Sequence, residues 1–185
     1  MALRRGFKTE ANRTSREIRA ELGLAADAPL CPFSTAEHLE VLVIKLSEFE
    51  KQHPSEVAYL TSAAGQDEFS AITVCIGTRR IIVYNDGHSP ARRAANIMHE
   101  LAHLLLIHPP HPLCGEKGKR HFDGVLEEEA SWLGPALLVS DEAALAVAKR
   151  GVTLRSAAAE YGVSRSLMQM RLNVTGARRR ISRAA

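Results

Sequence analysis

Apolar residues recur along this chain in two rhythms, and the switch between them marks its elements. From Thr9 to Leu22 the apolar positions Ala11, Ile18 and Leu22 fall at helical spacing among Glu, Arg and Ala, which predicts a surface helix with those three turned inward. Pro29 and Pro32 interrupt the chain, and Ser34-Thr35-Ala36-Glu37 has the form of a capping box opening a short helix. Val41 to Leu46 is apolar and β-branched and reads as a strand. After a loop around Ala63-Ala64-Gly65-Gln66, Ile72, Val74 and Ile76 alternate with smaller or polar residues. Gly77-Thr78 then offers a turn and Ile81 to Tyr84 returns, the pattern of a β-hairpin.

Asn85-Asp86-Gly87 breaks that rhythm, and helical spacing takes over. Ser89 is placed as an N-cap with Pro90 at the first helical position, so a helix should run from there to about Ile107, where Pro109, Pro110 and Pro112 stop it. His111 to Asp123 is a polar connection. Leu126 to Val139 and Asp141 to Lys149 read as two further helices, and two short ones flank Tyr161-Gly162-Val163 with Thr153 and Ser164 as caps. Helix, then strands, then helices is an α+β order. The expected division is a domain over 1–150 and a helical segment with a basic tail over 151–185, packed on that domain.

Composition narrows the class without naming it. At 185 residues, 45% apolar and 24% charged, the chain suits one globular domain with a small appendage. A net charge of +3 is too small to imply nucleic acid by itself, although five arginines and no acid follow from Arg171 onward. Cys31, Cys75 and Cys114 are far apart and odd in number, which argues against a disulfide framework. No apolar run reaches membrane-spanning length, and the basic start is not followed by an apolar signal core, so a cytoplasmic location is expected.

The chemistry lies in His99-Glu100-Leu101-Ala102-His103. Residues four apart on a helix share a face, so both imidazoles can reach one metal ion. Glu100 lies about 100° round the helix from His99, where it can take a proton from water activated by the metal as that water attacks a carbonyl. Ile97, Leu101, Leu104 and Leu105 give the same helix an apolar face for the core. A catalytic zinc needs a third protein ligand and an open position. Downstream stand His108, His111, His121 and the cluster Glu127-Glu128-Glu129. His108, five residues past His103, is expected to face away from the metal on the same helix. The glutamates head the next helix, where acids also complement the dipole.

His99-Glu100-Leu101-Ala102-His103-Leu104-Leu105-Leu106-Ile107-His108, then Glu127-Glu128-Glu129-Ala130-Ser131, then Ala136-Leu137-Leu138-Val139-Ser140, resembles the ImmA/IrrE family of metallo-endopeptidases. Phe7-Lys8-Thr9-Glu10-Ala11 and the strand near Val43 are similar to the family's opening, so the likeness covers most of the chain. The resemblance implies a zincin-like domain with a small sheet and an HExxH active-site helix. It implies Zn2+ held by His99, His103 and Glu127, with Glu100 as the catalytic base. Gly134 and Ala136 fall on the family's small-residue patch. Ser131 stands where the family has Asn or Asp, a position suited to supporting a ligand, and Val139-Ser140 replaces Met-Pro.

The implied activity is cleavage of a protein partner, often a helix-turn-helix repressor or antitoxin, in stress regulation or toxin–antitoxin-like pairs. The competing reading is a non-catalytic zinc-containing regulator that binds a repressor or DNA. Ala157 to Leu172 has the cadence of a helix-turn-helix, in which Arg165 and Arg171 would face phosphates and the arginines from Arg178 onward would form a mobile tail. Its second helix offers mainly Leu and Met, which suits packing better than base reading, so nucleic-acid binding is expected to be weak. Tyr84, His88, Tyr161 and Arg171 are candidate donors to an oxyanion, and Trp132 is expected in the core.

Overall fold

The computed structural model describes residues 3–77, 79–109 and 123–183. Helix α1 (Phe7–Glu21) buries Phe7, Ala11 and Ile18, while Leu22, just past its end, is only half-buried. Arg19 is also buried on this helix. Its guanidinium donates to the carbonyls of Ser15, Ala28 and Leu137 and to the Ser15 hydroxyl. Burial pushes its pKa down to about 10, which still leaves it charged near neutrality.

Helix α2 (Pro32–His38) opens before the expected cap at Ser34. Pro32 occupies its first turn, where a fixed φ and a missing N–H cost nothing, so the proline starts the helix instead of interrupting the chain. Strand β1 (Leu42–Lys45) ends in a 3-10 turn at Leu46–Phe49, and helix α3 (Pro54–Thr61) follows, an element that the apolar pattern does not announce. Strands β2 (Ala71–Ile76) and β3 (Arg79–Tyr84) form the hairpin, with Gly77 at φ 60 in its turn. β1 pairs in parallel with β3, Val43 opposite Ile82, so the sheet order is β1-β3-β2 and β2 is an edge.

Helix α4 (Pro90–Leu105) begins at Ser89, whose hydroxyl accepts from the Arg92 N–H. Helix α5 (Gly124–Leu138) begins at Asp123, whose carboxylate accepts from Val125 and Leu126. Ile97, Met98, Leu101 and Ala102 of α4 and Ala130, Leu133 and Leu137 of α5 join Ile82 and Tyr84 of the sheet in one core. The fold is mixed α+β, with a three-stranded sheet among helices in the described residues.

Helices α6 (Asp141–Arg150), α7 (Leu154–Glu160) and α8 (Arg165–Val174) use Ser140, Thr153 and Ser164 as caps. Arg171 does not face outward. It is buried, donating from Nε to the Val139 carbonyl and pairing with Asp141 at 3.0 Å. Instead of a free tail, Ala177–Ser182 forms a last helix, α9, with Ala177 buried. Trp132 is half-buried, with the Lys8 ammonium 4.3 Å from its ring centroid. Among the described residues no helix is long and apolar enough to cross a membrane.

Candidate metal centre

Ser89 and Pro90 fix where α4 starts, and helical geometry then stacks His99 and His103 one turn apart on a single face. Their Nε2 atoms lie 3.1 Å apart. The Asp123 cap likewise fixes the phase of α5, so that Glu127, in its first turn, meets both rings. Its Oε2 is 3.2 Å from His99 Nε2 and its Oε1 is 3.5 Å from His103 Nε2. Among the described residues, His99, His103 and Glu127 are the group whose donor atoms all fall within 4.8 Å of one another.

That spacing suits a metal. A tetrahedral ion with bonds of about 2.0–2.1 Å holds its ligand atoms roughly 3.3 Å apart, and the three separations here bracket that value. Two imidazole nitrogens and a carboxylate oxygen are also zinc's ordinary donors. The rings and the carboxylate are partly exposed, so an ion has access. Hydrogen bonds from His103 and then His99 outweigh the opposing effect of burial and hold the Glu127 carboxyl well below the usual carboxylate range. It is therefore ionised, the form that ligates.

Glu100 points to the sheet. Its Oε2 accepts a 2.6 Å hydrogen bond from the Thr73 hydroxyl on β2, which ties α4 to the edge strand. No motif singles out Thr73, although a hydroxyl within the apolar alternation of β2 is the signal that marks it.

His108 contradicts the expectation that it faces away. The helix ends at Leu105, and Ile107 adopts φ 55, reversing the chain. The His108 N–H then returns to the His103 carbonyl and the Ile107 N–H to that of Leu104, the paired closure of a Schellman cap. His108 is thereby folded back and buried, its Nδ1 2.9 Å from His103 Nδ1 and its Nε2 3.4 Å from Glu129 Oε2. Burial lowers its pKa, against the opposing pull of Glu129. Glu129, two residues after Glu127, thus serves the far side of His103.

Of the suggested oxyanion donors, Tyr161, His88 and Arg171 are hydrogen-bonded elsewhere. Tyr84 is buried with its ring edge-on to Phe33, and the Tyr161 hydroxyl donates to the Asp27 carbonyl. The buried His88 ring meets the Gln66 carbonyl and the Asn96 amide, and Arg171 meets Val139. Ser131 is exposed on α5. His111 and His121 lie outside the described residues.

Two imidazoles from one helix and a carboxylate from the next form a donor set of the metallopeptidase kind. The chain belongs to the peptidase M78 family: the model of that family's IrrE N-terminal-like domain matches residues 36–173, from α2 to α8. It therefore carries a metallopeptidase-like domain, which implies a metal. No curated protein and no solved structure matches the chain significantly.

Proposed function

We propose that this protein is a cytoplasmic zinc-dependent endopeptidase of zincin type, α4 being its active-site helix, and that it cleaves one protein partner, a helix-turn-helix repressor or antitoxin. The observation that carries this reading is the convergence of His99 Nε2, His103 Nε2 and the Glu127 carboxylate, all within 4.8 Å, beside a glutamate that is not among them. Family membership supports it. Zinc held by these three residues supplies Lewis acidity and brings the pKa of water down to about 7.

The chain's own groups do the rest. Thr73 occupies Glu100 Oε2 and leaves Oε1 to take a proton from the attacking water and pass it to the departing amide nitrogen. β2, at an edge of the sheet among the described residues and joined to Glu100 through Thr73, would offer backbone donors and acceptors to an extended peptide, which binds a chain with little reading of its side chains.

Mass spectrometry of a repressor encoded beside this protein, incubated with the zinc-loaded chain, tests the reading. A discrete cut is expected, slowed by at least about 100-fold in Glu100→Gln, with zinc content unchanged. An intact repressor that nevertheless co-purifies with the zinc-loaded protein favours the non-catalytic regulator instead.

A further inference from the structure

We infer that His108 is a positioning residue for His103, fixing the tautomer and ring orientation that turn His103 Nε2 toward the metal, and that Glu129 holds His108 in turn. This rests on the zinc reading above and adds residues that the ligand set does not contain.

The proton assignment follows from the contacts. To ligate a metal beside His99 Nε2 and Glu127, His103 Nε2 must present a lone pair to it, and a neutral imidazole then carries its proton on Nδ1. Nδ1 has His108 Nδ1 at 2.9 Å, and that atom must accept. The His108 proton is then on Nε2, which faces Glu129 Oε2 at 3.4 Å. The other Glu129 oxygen accepts from Arg4 Nε at 2.6 Å, and Arg4 reaches Glu10 at 2.7 Å. The same tautomers follow from the Glu129 end, whose carboxylate needs the His108 Nε2 proton. Metal-bound histidines ordinarily donate their second N–H to a carboxylate or carbonyl, which fixes the ring and raises its basicity. Here an imidazole takes that place and relays the polarity of a buried carboxylate.

The backbone carries strain in the same place. Ile107, β-branched and 82% exposed, sits at φ 55, a region such residues rarely adopt. Its side chain gains almost no burial there. What the conformation achieves is the reversal that lays His108, 7% exposed, against His103. Strain kept beside a site, and serving the placement of one side chain, points to a role for that side chain. Arg4 and Glu10 precede the residues matched by the family domain, so the amino-terminal segment closes the relay from outside it.

Chelator competition for zinc on the full-length protein tests this, with thermal melts of the metal-free form as a check on folding. His108→Phe should bind zinc about 10- to 100-fold more weakly, the usual effect of removing such a partner, and His108→Gln, which still offers a carbonyl oxygen, should recover part of the loss. Nitrogen NMR of the zinc-loaded protein should find a hydrogen-bonded His103 Nδ1–H in the parent and lose that hydrogen bond in His108→Phe. If His108→Phe does not fold, Glu129→Gln is read in its place, with a smaller loss expected. A folded His108→Phe, or failing that Glu129→Gln, with parental zinc affinity overturns the inference. His99→Ala separates the two readings: zinc retained there defeats the metal centre itself, whereas zinc lost there but undiminished in the relay variants defeats only the role of His108.

Discussion

Gly134 of α5 lies against the backbone of His99 on α4: a Cβ at 134 would come within 3.3 Å of the His99 nitrogen and Cα and of the Met98 carbonyl oxygen. The missing side chain lets the helices close on each other, and with Glu129 reaching His108 they run in opposite directions. That approach brings Glu127, about two turns earlier on α5, within 3.5 Å of both imidazoles. Gly134→Val should force the helices apart, because the atoms it meets belong to a packed backbone that cannot swing aside. Overpacking of this kind costs about 1–3 kcal/mol, more than the roughly few tenths that valine gains over glycine in helix propensity. The variant is expected to melt earlier and to bind zinc more weakly. Parental values for both would show that this close approach does not align Glu127.

Metal analysis should find one zinc per chain in the parent and little in His99→Ala, His103→Ala or Glu127→Ala. The neighbouring Glu128→Ala should keep it, because the donor atoms that converge are those of Glu127. Undiminished zinc in Glu127→Ala, or its loss in Glu128→Ala, would move the third ligand along the cluster.

Among the described residues the sheet order puts β2 at an edge, with β3 paired on both sides. Proline placed along β2, where the N–H points away from β3, should raise KM for cleavage while the melting temperature holds. The same substitution in β3 should unfold the protein. If no outward position on β2 affects KM in a folded protein, the substrate does not pair with this strand.

Asp86 ties the segment ahead of α4 to the 3-10 turn after β1, accepting from the Ser47 N–H at 3.0 Å and the Ser47 hydroxyl at 2.6 Å. Burial works to raise its pKa, but these hydrogen bonds win and hold it below the ordinary 3.8. The folded protein then binds fewer protons here than the unfolded chain, so this contribution is complete above about 3.8 and is lost as pH falls through the folded value. Asp86→Asn should be less stable than the parent at neutral pH, and denaturant titrations should find the gap closing in acid below 3.8. A gap that stays constant with pH would assign the effect to shape alone.

Features set by interactions within a few residues are legible in the amino-acid sequence. The Ser89-Pro90 start, the caps at Thr153 and Ser164, the hairpin around Gly77 and the shared face of His99 and His103 all depend on contacts no more than one helical turn or one tight turn away. Pro32 is ambiguous at that level because a proline can either break a chain or begin a helix, and what surrounds it decides which. The short helices α3 and α9 offer too few turns for a period to emerge.

Only tertiary packing decided which glutamate of three consecutive ones turns toward the histidines, since adjacent residues on α5 differ by about 100° and the sequence does not state which face α4 will cover. It also decided that Arg171, a surface cation by type, lies buried against Val139 and Asp141, where a carbonyl and a carboxylate from the start of α6 and the residues just before it replace its water. Thr73 reached Glu100 across 27 positions, and Arg4 reached Glu129 across 125. Local periodicity puts His99 and His103 on one face, and packing brings Glu127 to them. Their partners come from elements distant in the chain, and no pattern along a strand or helix encodes which of those will meet.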